Sequence, residues 1–229
     1  QEYLERDDVV GICDLDTRAL VRHIRQCGAM NAVICSDGTD ESELMKRLQE
    51  VPSMEGLELS SAVTTPEIYD VHPAAGAGTK HRVALLDLGV KRSITQCLTD
   101  RGCVVRVFPM KTSLDEILDW SPDGIMLSNG PGDPGAMDET IALVKALVDS
   151  EKPIFGICLG HQVLALSQGL RTVKMFNGHR GVNHPIKNLL TGKAEITSQN
   201  HGFVVVPESV KNKAKKTFDN LNDATSEGM

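Results

Sequence analysis

The sequence lacks any run of about 18 apolar residues, the length a membrane-spanning helix needs, so no transmembrane helix is predicted. It has no surplus of basic residues. Lys and Arg total 24 against 31 Asp and Glu, a formal net charge of −7. That balance disfavours a nucleic-acid-binding module or one that binds anionic membranes. No Cys-x-x-Cys pair occurs among Cys13, Cys27, Cys35, Cys97, Cys103 and Cys158, which argues against a zinc ribbon or a thioredoxin-type site. Thiols spread this thinly read as reduced, and hence cytoplasmic. There is no P-loop, internal repeat or low-complexity tract. Residues 1–8 are polar and acidic, unlike a signal peptide, and the first residue is Gln rather than Met.

What is present is ordinary globular composition, 41% hydrophobic and 24% charged. At roughly 150 residues per domain, 229 residues suggest one large domain or a domain and part of another. Residues 15–25 predict a helix capped by Asp16 or Thr17, with Leu20, Val21 and Ile24 as its apolar stripe and Gly28 as its stop. A second helix is expected over 41–50. The stretch His72-Pro73-Ala74-Ala75-Gly76-Ala77-Gly78 predicts a domain boundary near 70–80. Beyond it, strands over 83–88, 104–108, 124–128 and 153–157 alternate with helices over 93–101, 114–120, 138–148 and 160–167. That alternation implies βαβ units, hence an α/β fold with a mostly parallel sheet and flanking helices. After Gly169 come shorter strand-like pieces, 172–176, 194–198 and 203–206, expected to be antiparallel.

Phe155-Gly156-Ile157-Cys158-Leu159-Gly160-His161-Gln162 has a definite mechanical logic. A buried strand ends and a helix begins within a few residues, with glycines flanking the junction. This is a nucleophile elbow with Cys in place of Ser. It projects the side chain beyond the carboxyl ends of the strands, where open α/β sheets bind ligands. The following helix N-terminus is expected to favour thiolate. The bland alternative is a packed core cysteine, the reading adopted for the other five. Ser128-Asn129-Gly130-Pro131-Gly132-Asp133-Pro134 should lie on the same sheet edge. Its fixed backbone suits an oxyanion hole or a carboxylate-binding loop; a plain surface turn is the alternative.

Together these motifs resemble the class I, triad-type glutamine amidotransferases. With Gly178-His179-Arg180-Gly181, Asn183-His184-Pro185 and Ser198-Gln199-Asn200-His201-Gly202-Phe203, they resemble more closely the small, glutamine-hydrolysing subunits of carbamoyl-phosphate synthetases. The segment from Gly11-Ile12 through Asp16-Thr17-Arg18-Ala19-Leu20 to Gly28-Ala29 is similar to the end of that subunit's amino-terminal domain. Ala32 and Asn177 depart from the family pattern away from the proposed chemistry.

The resemblance implies a flavodoxin-like amidotransferase domain over 76–229, lacking its C-terminal end, preceded over 1–75 by the end of a smaller domain and a linker. It implies Cys158 as nucleophile, forming a γ-glutamyl thioester and releasing ammonia, and the backbone amides of Gly130 and Leu159 as oxyanion hole. It implies Gly130, Gly132, Leu159, Gln162, Asn200, Gly202 and Phe203 as the residues that hold glutamine. The expected partner is a large synthetase subunit that makes carbamoyl phosphate for arginine or pyrimidine biosynthesis. No cofactor or metal is expected here; ATP and Mg would belong to the large subunit.

In this family the base and its orienting carboxylate come from a His-Pro-Glu motif, which the sequence does not contain. The triad His and Glu are therefore expected outside these residues, and the sequence is expected to be a window from a longer chain. His201 is the best substitute base, although no acidic residue adjoins it in its motif. His161 is expected to pack or hydrogen-bond. Metal binding by His179 and His184 is disfavoured because no third ligand is near in sequence; side-chain hydrogen bonds stabilising a loop are expected instead. Two alternatives remain: a glutamine-binding or structural fragment without turnover, and another cysteine-elbow hydrolase such as a γ-glutamyl hydrolase or a peptidase.

Overall fold

The computed structural model describes residues 2–74, 78–210 and 214–229. Residues 75–77 of the expected linker lie outside them. The elements in order are α1 (Glu2–Arg6), α2 (Thr17–Cys27), α3 (Glu41–Glu50), β1 (Tyr69–Val71), β2 (His81–Asp87), α4 (Arg92–Thr99), β3 (Cys103–Pro109), α5 (Leu114–Asp119), β4 (Gly124–Leu127), α6 (Asp138–Asp149), β5 (Ile154–Gly156), α7 (Leu159–Ser167), β6 (Thr172–Asn188), β7 (Ala194–Val205), α8 (Pro207–Val210), β8 (Phe218–Asn220) and β9 (Ser226–Gly228).

The expected α/β fold is present. A five-stranded sheet runs in the order β1-β3-β2-β4-β5. β3, β2, β4 and β5 are mutually parallel. Its central strands β3, β2 and β4 are largely buried on both faces, as parallel sheets require, whereas the strand before Cys158, expected to be buried, lies at the edge with Phe155 exposed. Alternation divides their side chains. Ala84, Leu86, Ile125 and Leu127 face one way and pack with Ile117 of α5, Val144 and Leu147 of α6, and Val163 of α7. Leu85, Val105, Val107 and Met126 face the other way, with Ile94 and Leu98 of α4. Each fully buried aliphatic side chain contributes about 1.5–3 kcal/mol.

β1 was not expected. It adds antiparallel to the edge at β3, and a two-pronged ion pair secures it. Arg106 Nε and Nη2 donate to Asp70 Oδ1 and Oδ2 at 2.7 and 2.8 Å. The chain around residue 70, within the expected boundary region, is therefore part of the sheet.

α2 begins and ends as its sequence suggests. The Ala19 amide donates to Asp16 Oδ1 at 2.9 Å, and Gly28 ends the helix at φ +88°. A Cβ at Gly28 would come within 3.1 Å of the Phe176 carbonyl, so this turn sits directly against β6.

The region after Gly169 is antiparallel, as expected, but its strands are longer. β6 continues through Gly178, Gly181 and Pro185, and pairs along β7 with register shifts at Lys174/His179 and Gly181/His184. Bulges of this kind absorb residues that would otherwise interrupt a ladder. The short strands β8 and β9 close β6 and β7 into a barrel. Among the described residues no helix is long and apolar enough to cross a membrane.

Candidate active site

Cys158 is the residue the fold distorts most usefully. It sits between β5 and α7 at φ +53° and ψ −108°, a conformation that costs a non-glycine residue about 1–3 kcal/mol. Bonds on either side hold it there. The Ile157 amide donates to the Leu127 carbonyl at 3.0 Å, and the Gly160 amide donates to the Ser128 carbonyl at 3.0 Å. The flanking glycines are required by space. A Cβ at Gly156 would lie 2.6 Å from the backbone of Gly160 and His161, and one at Gly160 only 2.4 Å from the Leu127 carbonyl. The elbow is formed.

The loop after β4 lies beside it. Gly130 passes so close to β2 and α7 that a Cβ would meet the Leu88 carbonyl at 2.0 Å and the Leu159 side chain at 2.7 Å. The neighbouring residues shape the loop. Ser128 Oγ accepts from the Leu88 amide at 2.9 Å. Asn129 donates to the Gly89 carbonyl at 3.0 Å and accepts from the Lys91 amide at 3.1 Å. Asp133 accepts from the amides of Gly56 and Gly135, both at 2.8 Å. Gly132, at φ +99°, bridges to Glu58. Gly130 and Leu159 thus adjoin the nucleophile, whereas Gly132 sits further along the loop.

The thiol is not poised as the helix N-terminus alone suggests. Burial raises the Cys158 pKa and outweighs two opposing influences, the Leu159 amide directed at the sulfur and the positive charge of Lys91. The resting group is a thiol, and Sγ donates weakly to the Asn200 carbonyl at 3.8 Å. The expectation of a favoured thiolate is corrected here: desolvation exceeds the contribution of the amide.

On the barrel side, Cys158, His161, Gln162, Asn200, His201 and Glu227 line a cavity of about 410 Å³, a size suited to a small ligand. Its far wall is tied to α7. Gln162, only 6% exposed, donates through Nε2 to the Phe203 carbonyl at 2.6 Å. His201 Nδ1 contacts the same carbonyl at 2.9 Å. Gly202 lies between them in β7, its backbone beside Gly178 and Arg180.

Expectations for two histidines need correcting. Glu227 of β9 lies beside His201, its Oε2 3.5 Å from Nε2, so His201 does have a carboxylate neighbour. Its Nδ1 is taken up by the Phe203 carbonyl, whereas Nε2 lies 3.5 Å from the carboxylate without a hydrogen bond, and neither nitrogen is hydrogen-bonded to Cys158. His179 lies in β6 rather than in a loop. Its Nε2 is 2.8 Å from Asp223 Oδ2 and its Nδ1 is 3.2 Å from Glu227 Oε1. The ligand atoms of His179, His201 and Glu227 fall within 4.8 Å of one another, so further potential metal ligands are near; the sequence concealed them because β7 and β9 are remote from β6 along the chain. As the group stands, the imidazoles face the carboxylate, and Thr225 Oγ1 donates to Glu227 Oε1 at 2.9 Å. His184 stacks on His179 with ring centroids 4.9 Å apart but is not part of that cluster. His161 is half-buried on the cavity wall, its Nε2 without a hydrogen-bond partner among the described residues, and burial lowers its pKa.

Comparison with known sequences decides the family. The profile of class I glutamine amidotransferases matches residues 84–229. The chain belongs to that family. A second profile, for the CPSase domain of carbamoyl-phosphate synthase small chains, matches residues 1–34. Among curated proteins, the chain is 48% identical to the carbamoyl phosphate synthase small chain of Chlorobaculum tepidum, covering 99% of this chain and 62% of that one. It is 46% identical to the small chain of Nostoc sp., covering 100% and 62%. The chain thus spans less than two thirds of the length of these relatives. Among solved structures, a glutamine amidotransferase from Thermotoga maritima shares the fold, with a TM-score of 0.50, 15% identity, and 64% of this chain and 69% of that one covered. The elbow, the loop after β4 and all of the parallel sheet of this amidotransferase but the first residues of β2 fall inside the matched segment.

Proposed function

We propose that the chain is the glutamine-hydrolysing part of a carbamoyl-phosphate synthase small chain. One observation carries the chemistry: a strained elbow presents Cys158 Sγ beneath the Asn200 carbonyl, with the Leu159 amide directed at it. Residues 1–75 are read as the end of a preceding domain with its linker, and 76–229 as amidotransferase domain. The profile matches over 1–34 and 84–229 support that division.

In the proposed reaction the Cys158 sulfur attacks the side-chain amide carbon of glutamine. A C–S bond forms, and the carbonyl oxygen gains charge opposite the Leu159 and Gly130 amides. The C–N bond then breaks, the amide nitrogen takes up the thiol proton and leaves as ammonia, and water hydrolyses the thioester to glutamate and free thiol. Gln162, Asn200, Gly202, Phe203 and Gly132 are proposed to hold the substrate. The ammonia passes to a large synthetase subunit in the cytoplasm. ATP and Mg act there, and this module takes neither cofactor nor metal.

Among the described residues no hydrogen bond joins Cys158 to a histidine. We therefore place the general base outside these residues, in the longer protein, and expect the 229-residue chain alone to bind glutamine with very little turnover. Steady-state glutaminase assays on the complete protein test the proposal. Loss of activity in Cys158→Ser is expected, and an unchanged rate rejects it.

A further inference from the structure

Glu227 is a buried carboxylate, its side chain 10% exposed, facing two imidazoles. Its strand β9 pairs with β7 at Ser226 and Val205 and also with β8, so the backbone that carries it is fixed. From it a continuous set of contacts runs to the nucleophile's helix. Asp223 holds His179 at Nε2, and His179 Nδ1 faces Glu227 Oε1. Glu227 Oε2 faces His201 Nε2, and His201 Nδ1 meets the Phe203 carbonyl that Gln162 of α7 also engages. Asn200, next to His201, supplies the carbonyl above Cys158.

We propose that Glu227 is a positioning residue for the glutamine site, acting through His201 to hold the Asn200–Phe203 backbone against α7 and Cys158. The Phe203 carbonyl assigns one imidazole proton to Nδ1. Nε2 then faces a carboxylate oxygen, an attraction only when it too carries a proton. The imidazolium so formed has a fixed ring orientation, and the ring fixes the carbonyl. A neutral amide at position 227 has nearly the same shape and supplies no counter-charge. Other titratable and charged groups face this pair: His179 and Arg180 from β6 and His161 from α7, with Asp223 behind on the far side of His179. Burial and Arg180 oppose charge on His201, and Glu227 together with the Phe203 carbonyl sustains it.

This inference rests on the reading that glutamine occupies the Cys158 cavity. The test compares wild type, Glu227→Gln and Glu227→Asp in the complete protein, measuring kcat and KM for glutamine, thermal unfolding, and histidine 15N shifts across pH. The expected result is a KM about tenfold higher in Glu227→Gln, with kcat within about threefold, partial recovery in Glu227→Asp, and a His201 titration midpoint lower than in wild type. An unchanged KM overturns the proposal, as does a parallel collapse of kcat, KM and unfolding temperature, which marks a purely structural role. Should Glu227→Gln fail to fold, Glu227→Asp decides: a raised KM with kcat within about threefold supports the proposal, and an unchanged KM overturns it. If wild type neither binds nor hydrolyses glutamine, the functional reading fails and this one with it. If wild type turns over glutamine and Glu227→Gln matches it, this inference alone fails.

Discussion

Gln162 Nε2 donates to the Phe203 carbonyl at 2.6 Å, joining the helix that follows the nucleophile to the barrel strand across from it. The donor is almost wholly buried. The Phe203 carbonyl keeps His201 Nδ1 as a partner, so losing this one hydrogen bond costs about 0.5–1.5 kcal/mol. Gln162→Leu should therefore lower stability by about that amount in denaturant titration, and weaken glutamine binding measured by calorimetry. Retained affinity would separate this bond from the site.

The glycines around Cys158 are expected to be intolerant for a steric reason. Gly160→Ala and Gly130→Ala each drive a methyl group into a backbone carbonyl. Overpacking of this kind costs about 1–3 kcal/mol and displaces the elbow. Gly78→Ala, where nothing lies within 4 Å of the added carbon, is the control. Thermal unfolding should separate the two kinds of variant, and alkylation of Cys158 should slow only in the first.

The raised pKa of Cys158 sets the sign of a pH dependence. Iodoacetamide should modify it more slowly at neutral pH than it modifies an exposed thiol, with a rate still rising beyond the ordinary thiol range. Lys91 lowers this pKa, so Lys91→Met should move the profile further toward alkaline pH. A shift the other way would show that Lys91 acts on Cys158 by some route other than its charge.

Glu227 and His201 should also leave a mark on stability. Burial works against the Glu227 carboxylate, but its partners outweigh that effect, and its pKa falls below the ordinary 4.5. Its contribution is present above that value and is lost as pH falls through the lowered pKa. Burial works against the His201 imidazolium too, yet Glu227 and the Phe203 carbonyl raise its pKa above the ordinary 6.5. That contribution is present below 6.5 and is lost as pH rises through the raised pKa. The stability difference between wild type and Glu227→Gln should therefore be greatest between about pH 4.5 and 6.5, and shrink on either side.

The elbow and the parallel sheet were legible in the sequence because each obeys a local rule. Short continuous apolar runs mark β2 and β4, and glycines flank Cys158 where only glycine fits. The barrel was legible in part. β6 carries Gly178, Gly181 and Pro185, each of which reads as a break, and only the pairing with β7 shows that the ladder runs on through them, with bulges before His179 and before His184. β8 and β9, Phe218–Asn220 and Ser226–Gly228, are too short and polar to show any periodicity. Glu227 was missed for that reason, since its meeting with His179 and His201 exists only once the barrel closes. The thiol's charge state was misread because burial, which opposes the helix N-terminus, depends on tertiary packing.

The most direct measurement is covalent trapping. A diazoketone analogue of glutamine alkylates a cysteine through its methylene carbon, expelling N₂ as the thiol proton is consumed. It would be incubated with the protein, and the adduct located by peptide mass spectrometry. A single adduct on Cys158, suppressed by free glutamine and abolished in Cys158→Ala, is the result expected. An adduct spread over the exposed Cys13, Cys27 and Cys97, or one on Cys158 that glutamine does not suppress, would contradict a glutamine-specific nucleophile at this elbow.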